Sequence, residues 1–106
     1  MSAAMLDAIQ NAVNSGQILW KKHTLERMLE RGISRHQVKL ALLNGQLIES
    51  YPDDYPIPSV LLAAFLPEPL HVVVAFDELN RQCHVITAYR PDLNYFNADL
   101  ITRRLS

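Results

Sequence analysis

Apolar positions recur with two different periods along the chain, and the switch falls near residue 45. In residues 3–15, Ala4, Leu6, Ala8, Ile9, Ala12 and Val13 form a stripe at helical spacing, with Gly16 placed to stop it. Ile18–Trp20 reads as a short extended piece or as a lead into the next helix. Leu25, Met28 and Leu29 share one face of a predicted helix over 23–31, and Gly32 stands where a C′ residue belongs. Ser34 and Gln37 match a capping box, with Ile33 and Val38 at the flanking staple positions. That helix should run from Arg35 to Leu43 and end at Asn44-Gly45.

Beyond Gly45 the pattern is extended. Gln46–Tyr51 predicts a strand, and three prolines make 52–58 an irregular loop. Val60–Leu66, Leu70–Phe76 and Gln82–Tyr89 predict the main strands, with Leu79-Asn80-Arg81 in a hairpin turn. Residues 97–105 suit a short C-terminal helix or a tail. Helices first and consecutive strands afterwards give an α+β fold, with two or three N-terminal helices packed on a three- to four-stranded antiparallel sheet.

Composition narrows the class. A chain of 106 residues is one domain, here an N-terminal helix over 1–17, a core over 18–95 and a tail over 96–106. Apolar residues at 49% and charged ones at 20% exclude disorder along the whole chain. The longest apolar runs fall far short of the roughly 20 residues of a membrane helix. The N-terminus lacks the basic segment of a signal peptide. One cysteine, Cys83, allows no internal disulfide and no zinc site of paired cysteines, so a reducing cytoplasm is the expected compartment.

The net charge of −1 conceals an uneven distribution. Residues 1–45 carry six basic and three acidic side chains, and residues 46–80 carry six acidic and no basic ones. Residues 81–106 carry four basic and two acidic ones and, with a normal solvated surface the alternative, the sequence allows a local basic face around residues 20–39. Within it, His23, Arg27 and Arg31 are spaced i, i+4, i+8 and form one stripe of the predicted helix. Arginine forks match phosphate oxygens, and imidazole moves a proton near neutral pH, so the stripe suits a phosphodiester. A solvated helix face is the commoner explanation of such a stripe taken alone.

On the strands, His71 sits inside a run of valines and needs a partner if buried. If Phe76 faces Gln82 across the hairpin, His71 faces Thr87, with Tyr89 one step along. A shift of one residue instead joins His71 with His84 and Arg90. Other chemistries find little: there is no G-x-S-x-G, P-loop or G-x-G-x-x-G. His23 and Glu26 make two metal ligands, which is not a site. Cys83 in mid-strand suits a core. Asp53-Asp54 reads as solvated loop, and Tyr51 and Tyr55 could meet a partner.

Four segments together resemble a known family: His23-Thr-Leu-Glu-Arg27-Met-Leu-Glu-Arg31-Gly32-Ile33-Ser34, Ile48-Glu49-Ser-Tyr51-Pro52-Asp53-Asp54, Leu70-His71-Val72-Val73-Val74 and Val85-Ile86-Thr87-Ala88-Tyr89-Arg90-Pro91-Asp92. It is a family of small bacterial proteins classed as a domain of unknown function and grouped with the barnase–EndoU–colicin–RelE superfamily of ribonuclease toxins. The resemblance covers residues 18–95. It implies a RelE-like α+β fold and metal-independent RNA cleavage with no cofactor. The implied partners are RNA and a small antitoxin protein; a second copy of the chain could also pair with it.

The positions matching the superfamily's habits are His23, Arg27, Arg31, His71, Thr87 and Tyr89. On this expectation His71 or His23 moves the proton, Arg27 and Arg31 stabilise the phosphate, and Thr87 and Tyr89 orient it or supply a proton. Arg27, Arg31 and Arg90 would bind the RNA. The alternative is a non-catalytic binding or regulatory protein on the same fold, with 49–58 as its partner surface.

Overall fold

The structure is a computed structural model that describes residues 2–105. Three helices come first: α1 (Ser2–Asn14), α2 (Lys22–Glu30) and α3 (Arg35–Asn44). A three-residue strand, β1 (Ile18–Trp20), lies between α1 and α2. The strands β2 (Gln46–Tyr51), β3 (Ser59–Ala64), β4 (Leu70–Asp77) and β5 (Gln82–Tyr89) follow. Among the described residues no helix is long and apolar enough to cross a membrane.

Local chemistry sets the helix ends. The predicted capping box forms: the Ser34 hydroxyl accepts from the Gln37 amide at 3.0 Å, and Ser34 N–H donates to the Gln37 side chain at 2.7 Å. At the end of α2, Gly32 N–H donates to Leu29 and Ile33 N–H to Met28, at 3.1 and 2.9 Å. This pairing needs a left-handed residue, supplied by Gly32 at φ +67°, and it buries Ile33 beside Met28. Gly45 ends α3 for a different reason. Its φ is −78°, but a Cβ there would lie 2.5 Å from the Ala41 carbonyl oxygen.

The sheet order is β1-β5-β4-β3-β2. Strands β2 to β5 form the expected antiparallel meander, while β1 pairs in parallel with β5, Ile18 opposite Cys83. The sheet is therefore five-stranded and mixed rather than three- to four-stranded and antiparallel. Alternation explains the extra strand: Ile18 and Trp20 pack on the core, whereas Leu19 points to the other face and is exposed. Strand β3 stops at Ala64, short of the predicted Leu66. Leu66 is exposed, and Pro67 after it has no N–H to extend a ladder.

One core lies between the helices and one face of the sheet. Ile9, Val13, Met28, Val38 and Leu42 meet Leu62, Val72, Val74, Cys83 and Val85 there. The opposite face carries His71, Leu61 and Ala63, all buried. Part of its cover is the C-terminal segment, which is not a helix. Phe96 bridges Arg103, and Asn97 N–H donates to the Thr102 carbonyl at 2.8 Å, so the chain folds back on itself. Asp99 holds the bend by accepting from the Ile101 and Thr102 amides, both at 2.9 Å. Leu100 at the tip has φ +59°, a left-handed conformation through which no right-handed helix can run.

Candidate functional site

Near the hairpin the β4–β5 register is the second of the two the sequence allowed, and past a bulge it departs from both. Near the hairpin Phe76 faces Cys83 and Ala75 faces His84. A bulge at Ile86 then shifts the pairing by one residue, so that Val73 faces Thr87 and His71 faces Tyr89. His71 and His84, which faces Ala75, keep to one sheet face, and the bulge sets His71 directly beside Tyr89.

Beyond Val85, β1 no longer covers the outer edge of β5, and α2 takes its place. The Thr24 hydroxyl donates to the Val85 and Ile86 carbonyls at 3.3 and 3.1 Å. Arg31, at the C-terminal end of α2, donates from Nη1 to Thr87 Oγ1 at 3.2 Å and to the Ala88 carbonyl at 2.9 Å. Arg90 returns the contact: its guanidinium donates to the Arg31 and Gly32 carbonyls, where the helix leaves acceptors unsatisfied, and its Nε meets Glu68 at 3.0 Å.

His71 is fully buried and uses both ring nitrogens. Nε2 lies 2.7 Å from the Leu100 carbonyl, which can only accept, so Nε2 carries the proton. Nδ1 is then the acceptor for the Tyr89 hydroxyl at 3.3 Å. The Phe96 ring meets the imidazole edge-on, with centroids 4.7 Å apart at 84°. Burial, and then the nearby Arg103 cation, hold the His71 pKa below its ordinary value, against the opposing pull of the Leu100 carbonyl and of Glu49. Burial pushes the Tyr89 phenol up. The resting pair is therefore a neutral imidazole accepting from a neutral phenol.

Next to this pair lies a second group. Arg103 makes a fork to Glu49, at 2.9 and 3.1 Å, and its guanidinium stacks 4.6 Å over the Phe96 ring. Tyr51 donates to the same carboxylate. The Arg103 fork holds the Glu49 carboxyl below its usual range, and burial together with the bond to Glu49 raises the Tyr51 phenol to about 12. Between these groups opens a groove of about 510 Å³, lined by Arg31, Tyr51, Val73, Tyr89, Arg90, Asp92, Tyr95, Phe96 and Arg103. Arg90 and Arg103 are paired with Glu68 and Glu49, whereas Arg31 meets only neutral partners; with four aromatic rings around them, the groove suits an anionic ligand with flat groups.

Of the residues singled out from sequence, His71, Thr87, Tyr89, Arg31 and Arg90 come together. His23 and Arg27 do not. They lie on the outer side of α2 with Glu26, Leu29 and Glu30, and Arg27 pairs with Glu30 at 3.3 Å. The helix stripe is split because Arg31 sits past the last turn and bends to β5. Tyr51 lines the groove, whereas Tyr55 is exposed on the 52–58 loop. Sequence reasoning missed Glu49, Tyr95, Phe96 and Arg103 as site residues. The alternation of 46–51 could have placed Glu49 and Tyr51 on one face, but nothing local ties them to Arg103. Among the described residues no three His, Cys, Asp or Glu side chains cluster as metal ligands would.

An α+β domain with this groove on the sheet face away from its helices defines the class. The chain belongs to the family described as Domain of unknown function (DUF4258), whose match spans residues 20–90. No curated protein and no solved structure matches it.

Proposed function

We propose that the protein is a metal-independent endoribonuclease that works in this groove, a ribonuclease of the RelE-related kind, with a small antitoxin protein as its expected partner. The observation that carries the reading is the Tyr89–His71 pair, a phenol at a cationic groove backed by a neutral imidazole that can accept its proton. RNA would lie with its phosphates toward Arg31 and Arg90 and its bases against Tyr51. As the 2′-oxygen attacks phosphorus, its proton passes to Tyr89 Oη while the Tyr89 proton passes to His71 Nδ1. The P–O5′ bond breaks, the leaving oxygen takes a proton from water, and His71 later returns its proton to solvent. The ends produced are a 2′,3′-cyclic phosphate and a 5′-hydroxyl.

A second reading, a non-catalytic binding module, draws on the complete burial of His71. One experiment separates the two. A labelled single-stranded RNA is incubated with the full chain in EDTA, and both retention and cleavage are measured. The ribonuclease reading expects EDTA-resistant cleavage that falls about 100-fold in Tyr89→Phe, the scale of lost general acid–base catalysis. His23→Ala and Arg27→Ala, which lie outside the groove, retain it. Retention of RNA without cleavage rejects the ribonuclease and makes RNA the ligand of a binding module; neither retention nor cleavage rejects the ribonuclease and leaves the binding module with a partner at 49–58.

A further inference from the structure

We infer that residues 91–105 are a strap that occupies the groove as a built-in ligand and closes the His71–Tyr89 site until it is displaced. What the open site then does rests on the ribonuclease reading; the closure itself does not.

Each contact of the strap consumes a group a ligand would use. The Leu100 carbonyl takes the only proton of the imidazole, at 2.7 Å. The Phe96 ring covers the imidazole, itself 2% exposed. Arg103, itself on the strap, forks to Glu49 and so occupies the carboxylate at the edge of the groove. A ring and a carbonyl acceptor are what a nucleobase presents, and Arg31 and Arg90 outside the strap remain for the phosphate beside it. A single-stranded RNA could therefore replace the strap contact by contact.

The strap is also built to let go. It adds no strand to the sheet; turns at Asp92 and Asp99 and the Arg104–Tyr95 bond hold its own fold, and among the described residues its hydrogen bonds to the rest of the chain go to His71 and Glu49 alone. Its ion pair to Glu49 is half exposed on the arginine side, where such pairs hold weakly. Leu100 adopts a left-handed backbone that costs a leucine free energy and a glycine almost none. The family match ends at Arg90, so the whole strap lies beyond it.

The test uses the full chain with Glu49→Gln, which frees Arg103 and loosens the anchor, and Leu100→Gly, which relieves the tip and tightens closure. Two signals are read on each protein: acylation of His71 by diethylpyrocarbonate, mapped by peptide mass, and EDTA-resistant RNA cleavage. Glu49→Gln is expected to raise both about two- to fivefold, the range lost with one such ion pair. Leu100→Gly is expected to lower both about two- to fivefold. Acylation that does not rise in Glu49→Gln, or that rises in Leu100→Gly, overturns the strap. Cleavage that falls while His71 acylation rises overturns it as well, because the strap would then complete the site. If acylation follows the expectation and no protein cleaves RNA, the strap stands and the ribonuclease reading fails. Should Glu49→Gln not fold, Leu100→Gly alone decides by its sign.

Discussion

His71 should make the protein less stable in mild acid, and the size of the effect can be worked out. In the folded chain its pKa is depressed below the ordinary value of 6.5, chiefly by burial, with Arg103 adding to the effect. The unfolded chain takes up a proton as the pH falls through 6.5, and the folded chain does not. The unfolded state is thus favoured, and stability drops from neutral pH downward until the folded histidine also protonates. One proton bound only by the unfolded chain limits the loss to about 1.4 kcal/mol on going from about pH 7.5 to 5.5. With about 2.1 cal/mol/K of unfolding entropy per residue, that corresponds to a fall in Tm of about 6 °C. The assay is thermal unfolding of wild type and His71→Phe at several pH values, read as the difference between them. Phe at this position leaves the Leu100 carbonyl and the Tyr89 hydroxyl without their partner, so its Tm is lower at every pH. Its slope below pH 6.5 should nonetheless be shallower than that of wild type. Equal slopes would refute the claim that His71 is held neutral by the fold.

Three other outcomes are expected. Tyr89→Phe removes the donor to His71 Nδ1 and should cost about 1 kcal/mol, near the low end for an orphaned buried acceptor because the bond is 3.3 Å long; urea unfolding measures it. Ser34→Ala breaks the α3 capping box and should cost about 1 kcal/mol, or about 4–5 °C in Tm. Gly45→Ala puts a Cβ 2.5 Å from the Ala41 carbonyl oxygen and 3.1 Å from that of Ala63, both backbone atoms. It should destabilise by about 2 kcal/mol or more, and a Tm within a degree of wild type would show that α3 and β3 separate easily there.

How much of this was legible in the chain depended on how local each signal is. Ser34 and Gln37 are three residues apart and act on each other's backbone, so α3 starts where the pattern says. The valines of 72–76 and the alternation of 82–89 were enough to place β4 and β5. Their register was not, because it turns on one extra residue at Ile86, whose carbonyl is satisfied by Thr24 from a distant helix. The same holds for the site. Strand alternation could bring His71, Thr87 and Tyr89 to one face, and the left-handed Gly32 turn sends the chain on just past Arg31. Arg103 was out of reach: its partner Glu49 lies on the far edge strand, and the path between them depends on a left-handed leucine that no propensity predicts. His23 and Arg27 misled for the opposite reason, since helical spacing aligned them with Arg31 although Arg31 lies beyond the helix.

The parallel pairing of β1 with β5 bears on how the chain is made. Ile18 has no neighbour in the sheet until Cys83 has been synthesised, and α1 packs against β4 and β5 as well as against α3. On a ribosome the apolar stripe of Ile9, Ala12 and Val13 therefore waits, uncovered on its sheet side, until the chain as far as β5 has emerged. The protein cannot mature from its N-terminus forward. Acquisition of the native state is gated by its last strand, and truncated or stalled products should present that helix to chaperones or proteases.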